Sequence, residues 1–237
     1  SMLSTNYPPY YIWLVSWLAP SDSSILLTGG MLSLFGFLLA VASAGLATAH
    51  ITRKKWPGVM AALLLTGSIP ASYYASGCVP DCLALGICTF GVFLASRRIP
   101  CWPIVCGLLF SIALMIKHSL IVFPVGVIIW TLRTNFCKGI SLSLTIILCI
   151  GYPIFRGNLL NPLFLWSSAE WTPVNFLLKI LQWVFPWIFG IYLTANLAQK
   201  RKEFDQETRA QLGPWIVSFF TALAWVFSLG RTGSSSN

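Results

Sequence analysis

The sequence predicts an all-α, polytopic transmembrane helix bundle of about eight spans, preceded by a short helix lying at the membrane interface. Three observations carry this expectation. Of 237 residues, 57% are hydrophobic and 9% are charged, against roughly 25% charged in soluble domains. The apolar residues come in blocks with the charges confined between them, as when lipid is the solvent. Many of the 11 Trp and 7 Tyr stand near block ends, where interfacial aromatics collect.

The first block, Tyr10 to Ala19, is too short to cross a bilayer, which takes about 20 helical residues. Trp13 and Trp17 mark it as an interfacial helix. No charge occurs from Ser23 to Thr52, so Ile25–Ala49 is the first span, ended by Arg53, Lys54 and Lys55. Further spans are expected at Pro57–Ser76, Pro80–Ala95, Pro100–Ile116, Ser119–Leu132, Ile140–Phe155, Asn175–Ala198 and Leu212–Leu229.

The stretch from Pro100 to Leu132 sets the parity of everything after it. As one helix it would be about 50 Å long, well beyond a hydrocarbon core of roughly 30 Å. A hairpin broken at Lys117-His118 puts Arg53, Lys54, Lys55, Arg97, Arg98, Arg133, Lys138, Lys200, Arg201, Lys202 and Arg209 on one side. Lys117, Arg156, Lys179 and Arg231 stay near the other. The richer side is then cytoplasmic by the positive-inside rule. The net charge of +9 is thus assigned to membrane orientation, not to nucleic acid, because it lies in short clusters between apolar blocks.

The chain reads as one transmembrane domain, with residues 1–24 an external juxtamembrane segment, 25–229 the bundle and 230–237 an external tail. No internal repeat, low-complexity segment or secretory signal peptide is visible. P-loop, GxSxG and HExxH signatures are absent, and two histidines leave little for a metal cage or catalytic triad. All 7 cysteines are read as structural, since none makes a CxxC pair and Cys88, Cys106 and Cys149 lie inside apolar runs.

The polar groups with chemical interest fall on the external side. Asp81 follows Pro80 at a helix start, where a carboxylate satisfies free amides or faces a polar cavity at membrane level. Lys117-His118 lies between two runs that are both short for spans, so its turn dips toward the membrane. A cation beside an imidazole there suits a phosphate or pyrophosphate group, against ordinary snorkelling of the lysine. Arg156, Glu170 and Arg231 are read first as surface charges, and Lys179 as a snorkelling residue.

In their order these stretches resemble the membrane glycosyltransferases of the C fold, which use polyprenyl-phosphate-linked sugars. The nearest likeness is to bacterial protein mannosyltransferases and aminoarabinose transferases. Tyr7-Pro8-Pro9-Tyr10-Tyr11 is similar to the family's Tyr-Pro-Pro-Leu-Tyr signature. Met31-Leu32-Ser33-Leu34 resembles part of the next transmembrane helix. Val79-Pro80-Asp81-Cys82-Leu83-Ala84-Leu85 is similar to the family's Arg-x-Pro-Asp-Ala-Leu-Ala segment, without its arginine. Met115-Ile116-Lys117-His118-Ser119 resembles Leu-Thr-Lys-Gln-Thr, and Gly230 to Asn237 resembles Gly-Lys-x-Gly-Ser-x-Ser-Asn.

The resemblance implies transfer of a sugar from a polyprenyl phosphate to a glycan, lipid or protein acceptor on the external face of a bacterial inner membrane. An Asp would deprotonate the acceptor, while cationic groups, and in some members a divalent metal, stabilise the phosphate. It further implies that the catalytic Asp, on a loop after the family's first helix, precedes residue 1. Asp81 is then the best substitute, this chain alone is expected to be inactive, and Lys117, His118, Asp81, Arg156, Arg231 and Tyr7 form the expected substrate-binding set. The alternative readings are a secondary transporter or permease subunit, usually marked by repeats and mid-membrane helix breaks, and a non-catalytic membrane scaffold.

Overall fold

A computed structural model describes residues 10–67, 80–157 and 204–225, together with Tyr192, Asn196 and Gln199. Every regular element among them is helical. In chain order they are α1 (Tyr10–Leu18), a 3-10 turn at Asp22–Ser24, α2 (Ile25–Thr52), α3 (Lys55–Thr66) and α4 (Pro80–Arg97). Next come α5 (Trp102–Ile116), a 3-10 turn at His118–Ile121, α6 (Val122–Thr134), α7 (Phe136–Gly157) and α8 (Gln206–Trp225).

α1 matches the expected interfacial helix to within one residue. It turns Tyr11 and Val15 inward and leaves Trp13 and Trp17 56% and 81% exposed. The Tyr11 hydroxyl donates to the carbonyl of Gly29, 3.1 Å away, and fastens α1 to the start of α2.

α2 and α4 form the central pair, and small residues make their approach possible. Gly29, Ser33, Gly36, Ala40, Ser43 and Ala47 recur every three or four positions on the buried face of α2. Gly86 of α4 sits against the backbone of Gly36, and a side chain at either glycine would strike the partner's main chain. Such small-residue seams let helices pack where lipid supplies no hydrophobic drive between them. α6 and α8 repeat the device. Gly126 faces Ser218, and the Thr221 hydroxyl donates to the Val122 carbonyl at 2.7 Å.

The main core lies between α4, α5, α6 and α7, where Cys88, Val92, Cys106, Phe110, Val127 and Leu142 are fully buried. The outward faces are apolar too, with Leu26 at 76%, Leu64 at 72% and Leu148 at 69% exposure. On α7 the exposed set Phe136, Ile140, Leu144, Ile147 and Leu148 makes a continuous stripe. That is the reverse of a water-facing helix, whose outer face is polar.

The helix breaks in the Pro100–Leu132 stretch as the parity argument requires. Lys117 is extended (φ −147°, ψ 99°) and its N–H closes α5 on the Ala113 carbonyl. α6 then runs back, so that Trp130 near its end lies under Arg98 at the end of α4.

Helix length is where the expectation of about eight spans is only partly met. α2, with 28 residues, and α4, with 18, are long and apolar enough to cross a membrane. α3, α5 and α6 have 12, 15 and 13 residues, short of the roughly 20 a span needs. The apolar runs counted in the sequence include turn residues. Left-handed backbone at Arg98 and Cys101 and the extended Lys117 cut α5 short on both sides. The span expected at Asn175–Ala198 lies outside the described residues, save for the helical Tyr192 and Asn196.

The described cysteines differ in burial. Cys82, Cys88 and Cys106 are buried, whereas Cys101 and Cys137 are exposed thiols at helix ends. Cys78 lies outside the described residues.

Candidate functional site

The two polar positions singled out on the external side come together. Asp81 is in the first turn of α4 and Lys117 is the residue that stops α5. Lys117 Nζ lies 2.7 Å from Asp81 Oδ1, with the side chains 19% and 35% exposed. Asp81 therefore offers an oxygen to an ammonium and is not solely a helix-start carboxylate.

Local packing fixes both ends of this pair. Leu83 and Ala84, just after Asp81, are buried with Ile116, just before Lys117, against Tyr11 and Val15 of α1. α1 thus walls one side of the pair. A lysine snorkelling alone would extend its head into water, but here it is held by a carboxylate in partly apolar surroundings.

His118 opens the 3-10 turn beside Lys117. Burial, and after it the Lys117 charge, hold its imidazole below the ordinary value of 6.5. It is accordingly neutral at physiological pH, able to donate through one ring nitrogen and accept through the other.

For the rest of the expected substrate set, Arg156 falls in the last turn of α7 without a described side chain, and Tyr7 and Arg231 lie outside the described residues, as does Glu170, which the sequence marks as a surface charge. Nor does the pair fit the divalent metal the resemblance allows. Among the described residues no three His, Cys, Asp or Glu side chains gather, and Asp81 faces a cation that a metal would have to displace.

The opposite end of the bundle holds more polar structure than the sequence reading assigned to it. Arg53 Nη2 pairs with Asp205 at 2.8 Å and Glu207 at 3.2 Å, tying the end of α2 to the start of α8. Asp205 also accepts from the Thr208 N–H and caps α8, and this bonding, more than the Arg53 charge, keeps its carboxyl below the usual range. Arg97 Nη1 lies 2.7 Å from His50 Nδ1, joining the ends of α2 and α4.

Two open clefts occur at this end, about 240 and 1000 Å³ in volume. From the sequence alone these arginines are topological charges only. The one signal available was the Arg97-Arg98 doublet with Trp130 three residues before Arg133, the next basic residue on that side.

No protein family, characterised protein or solved structure matches this chain in comparisons of sequence and fold.

Proposed function

We propose that the chain is a multi-pass membrane protein, and that the Asp81–Lys117–His118 cluster binds the phosphate of a polyprenyl-phosphate-linked sugar as part of a membrane glycosyltransferase. The observation that carries this reading is the Lys117–Asp81 ion pair at 2.7 Å, half-buried beside α1. Ionisable pairs at membrane level are costly to keep and commonly serve a function.

In this reading the apolar outer faces meet lipid, and the polyprenyl tail lies against them. The donor phosphate reaches the bundle end, where the Lys117 ammonium attracts it and His118 supplies a neutral hydrogen bond. On sugar transfer the phosphate becomes the leaving group, and the lysine charge stabilises what develops on its oxygens. The acceptor hydroxyl gives its proton to a carboxylate within hydrogen-bond reach. Asp81 is the described carboxylate nearest that role, once phosphate has drawn Lys117 away from it.

The test is donor binding to the full chain in lipid nanodiscs, read by native mass spectrometry with a short polyprenyl-phosphate hexose. Lys117→Ala should weaken binding about tenfold or more, the scale of one charge-assisted contact, and Lys117→Arg should keep part of it. Equal affinity in the alanine variant and the parent would leave Lys117 as a partner for Asp81 and nothing else.

A further inference from the structure

The larger of the two clefts lies at the end of the bundle remote from Asp81. It opens between the last turns of α4 and α6 and the first turns of α8, and its volume is about 1000 Å³. Sites for small ligands run roughly 300–1,000 Å³. Arg97, Arg98 and Arg209 line it with Trp130, Glu207 and Gln211. The smaller cleft shares Glu207 and Gln211 and adds Arg53, Lys54 and Lys55.

Among the described residues the charges here do not balance. Six described Lys and Arg side chains line the two clefts, and the described carboxylates at this end, Asp205 and Glu207, are both bound to Arg53. Among the described residues no carboxylate pairs with Arg97, Arg98 or Arg209.

Membrane orientation and the negative ends of α2, α4 and α6 explain why cations collect at this end. They do not explain how Arg98 is set. Its guanidinium carbon lies 5.2 Å from the centre of the Trp130 ring, which is itself buried. The cation–π contact holds the guanidinium beside the indole, while Arg98 stays exposed to the cleft.

We propose that this cleft binds a phosphate-bearing anion, either the headgroup of an acidic lipid in the adjoining leaflet or a soluble polyphosphate. Guanidinium groups match phosphate oxygens two at a time. Three of them line one cleft, one of them over an indole, and together they concentrate phosphate-binding N–H donors in one place. The inference is independent of the Asp81 site and stands or falls apart from it.

The experiment uses the full chain in a neutral detergent. Phosphatidylglycerol is titrated against phosphatidylcholine by native mass spectrometry, and inorganic pyrophosphate is titrated separately by Trp fluorescence. Binding of phosphatidylglycerol over phosphatidylcholine assigns a lipid headgroup, and binding of pyrophosphate assigns a soluble ligand. The combined Arg97→Gln, Arg98→Gln, Arg209→Gln variant should lose about tenfold or more in affinity. Arg133→Gln, an exposed charge outside the lining, should lose none. Should the triple variant fail to fold, Arg98→Lys carries the test, with a several-fold loss expected because charge is kept while the stacked plane is removed. Failure of both ligands to bind, an equal loss in Arg133→Gln, or unchanged affinity in Arg98→Lys overturns the proposal.

Discussion

Lys117 cannot serve a phosphate and Asp81 equally well at the same time, and this competition gives the pair its sharpest test. Removing the Asp81 charge releases the ammonium from its 2.7 Å partner, so Asp81→Asn should tighten donor binding, by about tenfold on the scale of one charged hydrogen bond. Sugar transfer should fall in the same variant if Asp81 also takes the acceptor proton. Weaker donor binding in Asp81→Asn would mean that the carboxylate itself positions the sugar. His118 adds a pH dependence whose sign follows from its surroundings. Burial and Lys117 lower its folded value below 6.5, so protons bind the unfolded chain first as pH drops. The stability from neutral His118 is complete above pH 6.5 and is lost as pH falls from there through the lowered folded value. Thermal unfolding in detergent at pH 8 and pH 5 should therefore show a larger drop for the parent than for His118→Asn. Equal drops would place the imidazole in water. At this scale the sequence was legible where a polar residue interrupts an apolar run, as Asp81 and Lys117-His118 do. It hints at Arg98 only through the Arg97-Arg98 doublet and cannot pair it with Trp130, because the contact joins two helix ends that no spacing in the chain connects.

Among the helices, the seam between α2 and α4 depends on two residues having no side chain. A methyl group on Gly86 would meet the Gly36 main chain, which cannot move unless the helices part. Gly86→Ala should accordingly cost about 1–3 kcal/mol or more, as overpacking does. Gly30, one residue from the same seam, has nothing within 4 Å of an added Cβ. There Gly30→Ala should gain about 0.5–1 kcal/mol through helix propensity. Thermal unfolding of both variants in one detergent checks the contrast, and a similar loss in each would mean that α2 is not seated on α4 through this face. Element positions were readable because charges and prolines bracket the apolar runs. α1 and the starts of α2 and α4 fall where the sequence puts them. Helix ends were less readable. An apolar residue in a turn and one in a helix look alike to hydropathy, and the left-handed Cys101 shortens a run that composition leaves continuous.

For the whole molecule, the described contacts sort the charges by end in the way the positive-inside argument did. Arg53 reaches Asp205 and Glu207, Arg97 reaches His50, and Arg98 covers Trp130, while Asp81 and Lys117 meet at the other end. Geometry of this kind fixes which groups share an end. Which end faces the cytoplasm rests on charge, because Lys and Arg cross a membrane against the greater barrier. The exposed thiols provide the check. Cys101 opens α5 and Cys137 opens α7, both at the basic end, whereas Cys82, Cys88 and Cys106 are buried and out of reach of a bulky reagent. In a Cys78→Ser background, a membrane-impermeant maleimide should leave Cys101 and Cys137 unlabelled in intact cells and modify them in inverted vesicles. A cysteine placed at Ser119, in the turn after Lys117, should give the opposite pattern. Labelling of Cys101 and Cys137 in intact cells, with Ser119→Cys protected, would reverse the orientation and put the Asp81–Lys117 pair in the cytoplasm. A site facing that way would meet donors and acceptors of the other leaflet, so the externally facing transfer proposed for it would go with the topology.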